Sequence, residues 1–170
     1  MDLKVKIRSV LDFPKEGIDF KDITTVLKDK EAFRECIDQM ANKVNSKDID
    51  LILGAEARGF LLGAPLAYKL GVGFVPVRKP GKLPAKTINY EYELEYGTDI
   101  LEIHEDSVSK GDKVLIVDDL LATGGTALAS AKMVEELGGE VVGMLFFIEL
   151  EFLKASEKLK DYDVESIVKF

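Results

Sequence analysis

Hydrophobic positions along the chain switch period several times, and each switch marks an expected change of element. From Phe33, the apolar residues Cys36, Ile37, Met40 and Val44 recur every third or fourth position, the stripe of an amphipathic helix. Ile49–Leu53 and Gly73–Val77 are short apolar runs of strand length, and a helix is expected between them over 60–70, with Pro65 placed to kink it. From Ile88 the period becomes two. Ile88, Tyr90, Tyr92, Leu94 and Tyr96 share one face, and Asn89, Glu91, Glu93 and Glu95 the other, as in one arm of a hairpin. Val114–Val117 is an unbroken aliphatic run, which suits a parallel strand buried on both faces. Ala127, Leu128, Ala131, Val134 and Leu137 then follow a helical period until Gly138 and Gly139 stop it. A buried strand over 140–150, a short helix over 152–159 and a last strand over 164–170 complete the pattern. At the opposite end, Leu3, Ile7, Val10 and Leu11 share one helical face behind Asp2, so a docking helix is expected over 2–11. Residues 12–24 read as a loop from their Pro and Gly, with Phe13 and Phe20 either plugging the core or stacking on a ligand.

Strands alternating with helices predict an α/β fold with a central, mostly parallel sheet flanked by helices on both faces. A length of 170 residues suits one domain with a full core. Composition narrows the classes further. Hydrophobic residues at 46% and charged residues at 32% are ordinary for a globular protein, and no apolar run reaches membrane-spanning length. The start Met1-Asp2-Leu3-Lys4 lacks the basic and apolar regions of a secretory leader, so a cytoplasmic location and no membrane partner are expected. The single cysteine, Cys36, cannot form an internal disulfide and falls on the helix stripe, so it is read as core. His104 also stands alone, which excludes a zinc cluster or a nucleophile triad built on histidine and leaves a surface or strand-end place. A net charge of −8 argues against a nucleic-acid surface as the main business of the chain.

The candidate chemistry lies at strand-to-helix junctions. Asp118 and Asp119 sit where the 114–117 strand is expected to leave the sheet, and ligands of open α/β sheets bind at the carboxyl ends of strands. The small-residue turn Ala122, Thr123, Gly124, Gly125 and Thr126 follows. Its glycines permit positive φ and its threonines add hydroxyls, and the turn opens into a helix whose unpaired N–H groups favour a phosphate. Carboxylates repel phosphate, so the acids should face hydroxyls or a metal beside it, and a sugar phosphate meets both demands. A second junction holds Arg58 among small residues, free to reach a phosphate with its forked guanidinium. A third, 78–87, carries Arg78, Lys79, Lys82 and Lys86 with two prolines and no acid, a local reversal of charge that would focus field on an anion.

The string Val-Leu-Ile-Val-Asp-Asp-Leu-Leu-Ala-Thr-Gly-Gly-Thr, 114–126, resembles the phosphoribosyl pyrophosphate (PRPP) motif of the type I phosphoribosyltransferases. That resemblance implies that Asp118 and Asp119 hold the ribose hydroxyls and that Ala122–Thr126 wraps the 5′-phosphate. Four further motifs are similar to the adenine-specific branch of the family and come in its order. Phe-Pro-x-x-Gly-Ile-x-Phe-Lys-Asp-Ile, 13–23, resembles the segment that builds a hood over the base, and implies that Phe20 stacks on the purine while the backbone near Asp19 and the side chain of Lys21 flank its edge. The branch commonly has an apolar residue where this chain has Asp19. Glu-Ala-Arg-Gly-Phe, 56–60, resembles its pyrophosphate loop, in which the peptide before the arginine, here Glu56 to Ala57, is often cis. Arg-Lys-x-Gly-Lys-Leu-Pro, 78–84, resembles its mobile catalytic loop, which in some relatives reaches a neighbouring subunit, and Leu-Glu-Tyr-Gly, 94–97, implies that Glu95 accepts the proton from the reacting base nitrogen.

Together these imply one type I phosphoribosyltransferase domain over 1–170, with a small N-terminal hood within about 1–30 and a mobile catalytic loop of about 78–97. The implied reaction is purine salvage, adenine plus PRPP giving AMP and pyrophosphate, with Arg58, Lys82 and Glu95 as catalytic residues. Arg58, Arg78, Lys79 and Lys82 are implied to bind pyrophosphate. Magnesium is expected to be held mainly by PRPP and water with Asp118 or Asp119 nearby, and the assembly to be a homodimer. Two alternatives differ in their demands: the same chemistry on xanthine, hypoxanthine or orotate, or a PRPP-sensing regulator without turnover, which would be expected to bring a basic surface or DNA-binding domain that the sequence does not show.

Overall fold

The computed structural model describes residues 1–94 and 97–170. Its N-terminal segment is not the expected helix. One 3-10 turn, Lys4–Lys6, leads into strand β1 (Arg8–Leu11), which pairs antiparallel with β2 (Asp19–Asp22), so that the segment read as loop is partly strand. Leu3 and Ile7 enter the core as the helical pattern suggests, but Leu11 is 73% exposed. Ser9 and Val10 are weak helix formers and Pro14 bars a continued helix, so the backbone gains more from a ladder with β2. Arg8 bonds Asp22 across that ladder.

A single turn, α1 (Thr24–Leu27), precedes α2 (Lys30–Lys43). Asp29 caps α2 by accepting from the N–H groups of Glu31 and Ala32 at 3.0 and 3.2 Å, just ahead of Phe33, the first position of the stripe. Next come β3 (Leu51–Ala55), α3 (Arg58–Leu70), β4 (Gly73–Val77) and the hairpin arms β5 (Thr87–Leu94) and β6 (Gly97–His104). Pro65 lies within α3, whose helical assignment runs through it. His104 closes β6, where its Nε2 accepts from Ala85 N–H at 3.2 Å. The chain ends with β7 (Lys113–Leu121), α4 (Gly125–Glu136), β8 (Glu140–Glu149), α5 (Ala155–Lys158) and β9 (Val164–Lys169). The helix expected over 152–159 is split. A 3-10 turn at Glu151–Leu153 is separated from α5 by Lys154, whose left-handed backbone, φ 53°, cannot continue a helix.

The central sheet is five-stranded and parallel throughout, in the order β4-β3-β7-β8-β9. From β3 the chain goes outward to β4 and then returns to the other side of β3 with β7. Neighbours β3 and β7 therefore send their following helices in opposite senses, which opens a crevice between their carboxyl ends. The faces follow from alternation along the central strand. Leu115 and Val117 pack with α2 and α3 on one face, and Val114 and Ile116 pack with α4 and the β5–β6 hairpin on the other. Both faces being covered explains the unbroken apolar run, and each fully buried large side chain contributes about 1.5–3 kcal/mol. Cys36 belongs to the first core at 0% exposure, and burial pushes its thiol up to about 12.

Asp118 and Asp119 differ from expectation in one respect: they lie within β7, not beyond it. Pairing of β7 with β3 ends at Val117 opposite Gly54, while pairing with β8 continues to Leu121. The acids thus stand on a strand supported from one side only, at the lip of the crevice.

Candidate active site

A cleft of about 400 Å³ opens at this lip, and its walls are the β3–α3 and β7–α4 junctions. Close packing without side chains makes it. A Cβ on Gly54 would lie 2.9 Å from the Gly59 carbonyl oxygen, and one on Gly59 would lie 3.0 Å from Asp118 Oδ1 and 3.3 Å from the Val117 oxygen. Glycine at both places lets the first turn of α3 press against β3 and β7. Arg58, at the start of α3, is thereby brought beside the acids, and its Nε donates to Asp119 Oδ2 at 2.6 Å. Expected to be free for a phosphate, this guanidinium is instead engaged from two sides: Asp119 holds one edge, and the Phe20 ring lies 5.4 Å from its centre.

The two acids are electrostatically unequal. Asp119 is 4% exposed and has Arg58 as its counter-ion. Burial, and then the charge of Asp119, hold the Asp118 carboxyl well above the usual carboxylate range, against the pull of the Asp119 N–H, which donates to Asp118 Oδ1 at 2.8 Å, and of Arg58. Hydroxyl or cationic groups entering the cleft would relieve that repulsion.

The small-residue turn is shaped by its two glycines in different ways. Gly124 has φ +88°, and a Cβ there would sit 3.4 Å from Leu159 and 3.5 Å from Ala155 on α5. Gly125 does not share that conformation, contrary to expectation. It is the first residue of α4, and a Cβ on it would lie 3.1 Å from the ring of Tyr92, so its smallness makes room for the hairpin. No side chain caps α4, which leaves its first N–H groups directed into the cleft beside Thr123 and Thr126.

The hood and the lid are built from pairs. Successive strand residues point to opposite faces, so Phe20 faces Arg58 while Asp19 and Lys21 share the other face and bond each other at 2.8 Å. The Lys21 ammonium also donates to Ser9 Oγ at 2.8 Å and lies 4.2 Å from the Phe170 ring centre, so neither it nor Asp19 lines the cleft, and Phe20 meets the cleft only through Arg58. Phe13 meets Phe20 edge to face at 5.2 Å. In the lid, Arg78 Nε and the Lys79 N–H both donate to Glu56, at 2.8 and 3.0 Å, and the Lys79 ammonium pairs with Asp99. Burial pushes Glu56 up, but the hydrogen bonds from Arg78 and Lys79 outweigh it and hold this carboxyl low. The bond from Lys79 likewise lowers Asp99. Lys79 lines the cleft; Arg78 and Lys82 do not, although the charge of Lys82 reaches Glu56. The peptide between Glu56 and Ala57 is cis. Glu95 lies outside the described residues.

The family model of the phosphoribosyl transferase domain matches residues 22–169. The chain belongs to the phosphoribosyltransferase family. Among the members of that family it is 66% identical to the adenine phosphoribosyltransferase of Acetivibrio thermocellus, over the whole of both chains. The crystal structure of the adenine phosphoribosyltransferase from Thermoanaerobacter pseudethanolicus superposes with a TM-score of 0.98 at 62% identity, covering 99% of this chain and 98% of that one. The Saccharomyces cerevisiae adenine phosphoribosyltransferase, solved with adenine and an iminoaltritol bisphosphate, superposes at 0.92 with 41% identity, covering 98% of this chain and 96% of that one. Sequence reasoning gave no site role to Glu56, Tyr92 or Asp99, which hold or adjoin the cleft's cations and loop. A signal existed for Tyr92, which lies on the buried face of the alternating strand; Asp99 becomes its partner only once the hairpin register, Tyr92 opposite Asp99, is fixed.

Proposed function

We propose that the chain transfers the 5-phosphoribosyl group of PRPP to adenine, giving AMP and pyrophosphate in purine salvage. The observation that carries this reading is the convergence, in one cleft, of an acid pair, a glycine turn at a bare helix start and an arginine that touches the hood phenylalanine. In the reaction the bond from ribose C1 to the pyrophosphate oxygen breaks, the bond from C1 to purine N9 forms, and the N9 proton leaves to a carboxylate. Asp118 and Asp119 accept hydrogen bonds from the ribose hydroxyls, each contributing about 1.5–3 kcal/mol when water is excluded. Thr123 to Thr126 and the start of α4 take the 5′-phosphate. Arg58 and Lys79, joined by Arg78 and Lys82 on lid closure, offset the negative charge that grows on the departing pyrophosphate. Phe20 stacks on adenine with the hood backbone near Asp19 and Lys21 at its edge, and Glu95 receives the N9 proton.

Magnesium fits this donor set as a guest of the substrate. Among the described residues no three His, Cys, Asp or Glu side chains gather to hold a metal, yet the mutual repulsion at Asp118 and Asp119 suits a divalent cation shared with PRPP oxygens and water. Bound there, the ion would neutralise charge on the leaving group. A homodimer agrees with Leu61 and Tyr68, seven residues apart on α3 and 46% and 91% exposed, which present an apolar stripe on its outer side. One domain over 1–170 and a cytoplasmic location complete the reading; among the described residues no helix is long and apolar enough to cross a membrane.

Initial rates with PRPP, magnesium and each of adenine, hypoxanthine, guanine, xanthine and orotate test the proposal through pyrophosphate release. Turnover confined to adenine is expected. Turnover confined to another base would overturn the adenine half, and tight PRPP binding without turnover would favour the regulator.

A further inference from the structure

The tyrosine on the hairpin connects two parts of the cleft that the reaction uses separately. Tyr92 and Asp99 are cross-strand partners, and the Tyr92 hydroxyl lies 3.3 Å from Asp99 Oδ2 and 3.3 Å from Thr126 Oγ1. The same carboxyl group pairs with the Lys79 ammonium and accepts from the Ile100 N–H at 2.9 Å. Proton counting orders these bonds. A phenol has one proton to give, and a carboxylate kept ionised by a lysine can only accept. Tyr92 therefore donates to Asp99, and the Thr126 hydroxyl donates to Tyr92. The ring itself is seated on the first turn of α4, in the space left by Gly125.

We propose that Tyr92 is a positioning residue that latches the lid hairpin to the phosphate loop and keeps Lys79 parked on Asp99 until an anion accepts the hydrogen bond that Thr126 gives Tyr92. The inference rests on reading the glycine turn as the phosphate subsite and the cleft as the PRPP site. An ionised phosphate oxygen is a stronger acceptor than a neutral phenol, so its arrival draws the Thr126 hydroxyl away from Tyr92. The hairpin then loses a bond to the loop, and Lys79 exchanges Asp99 for the pyrophosphate of the same substrate. PRPP thus binds against the latch, and part of its affinity is spent on releasing the lysine that acts later. Tyr92 touches neither the reacting carbon nor the base in this scheme; it acts through Thr126 and Lys79.

The test uses Tyr92→Phe, which keeps the ring and its packing but removes the hydroxyl, with Asp99→Asn as a second route to the same break. PRPP with magnesium is titrated calorimetrically into wild type and variants without base, and kcat and KM are measured with adenine. Both variants are expected to bind PRPP three- to tenfold more tightly, with a matching fall in KM and no rise in kcat. A purely structural tyrosine would not produce that split. In a Thr126→Val background, which lacks the hydroxyl that Tyr92 holds, the Tyr92→Phe gain should disappear. Unchanged or weaker PRPP binding in both variants, beside normal binding by wild type, overturns the latch and leaves the proposed function standing. Failure of wild type itself to bind PRPP overturns both.

Discussion

The two helix starts that wall the cleft differ from the two hairpins that flank it. At the starts of α3 and α4 the site is made by what is missing: side chains at Gly54, Gly59 and Gly124, and a cap on α4. The backbone N–H groups at the start of α4 are already uncapped, and only the Thr126 hydroxyl has a bond to give up. In the hood and lid three cations are already paired, Lys21 with Asp19, Arg78 with Glu56 and Lys79 with Asp99. A ligand approaching the hairpins must exchange one ion pair for another, and the net gain from such an exchange is small. Affinity should therefore reside at the helix starts. The hairpins should act chiefly when charge develops on the leaving group, because the exchange that PRPP binding sets up near balance then gains most.

The variant with the largest expected effect attacks the first region. Asp119→Asn weakens a charge-assisted acceptor for a ribose hydroxyl and the counter-ion of Arg58, so the KM for PRPP should rise about 10- to 100-fold in initial-rate assays. A rise under threefold would break the comparison. Gly59→Ala comes next. Its methyl group would press on Asp118 and the β7 backbone, and the overpacking should cost about 1–3 kcal/mol, read as a fall of roughly 3–10 °C in Tm.

The hood offers a smaller, pH-dependent effect. The Thr24 N–H, and then Arg8, depress the Asp22 carboxyl from an ordinary 3.8 to about 2. A depressed acid stabilises the fold above its unfolded value and loses that contribution as pH falls through its folded value. After allowance for solvent screening this is about 1–2 kcal/mol at neutral pH. Asp22→Asn should therefore lower stability to urea at pH 7, with the gap to wild type shrinking below pH 4 and closing near pH 2. The smallest effect is expected far from both regions. Cys36→Ala should leave kcat/KM within twofold, and the native thiol, pushed up to about 12 by burial, should resist a maleimide at pH 7.5 until the protein unfolds.

This division also explains what was legible in the sequence. The helix starts are local: a strand, a glycine turn and a helix lie within a dozen residues, so Asp118, Asp119 and the 122–126 turn could be found from residue type and spacing. The hairpins are not local. Whether Lys21 faces the base or Phe170 depends on which face of β2 it occupies, and β2 was hidden inside a stretch punctuated like a loop. The docking helix expected over 2–11 failed for the same reason, since its strand partner lies eight residues beyond its end. Glu56 and Asp99 looked like ordinary solvated acids because the cations that they hold are 22 and 20 positions away along the chain.

The most direct measurement is calorimetric titration of PRPP with magnesium into wild type, Asp119→Asn and Lys79→Met, paired with kcat for each. Lys79→Met should keep its Kd within about threefold of wild type while kcat falls at least tenfold, and Asp119→Asn should lose at least tenfold in Kd. Equal losses of Kd in the two variants would contradict the account, because the lid would then bind the substrate as much as the helix starts do.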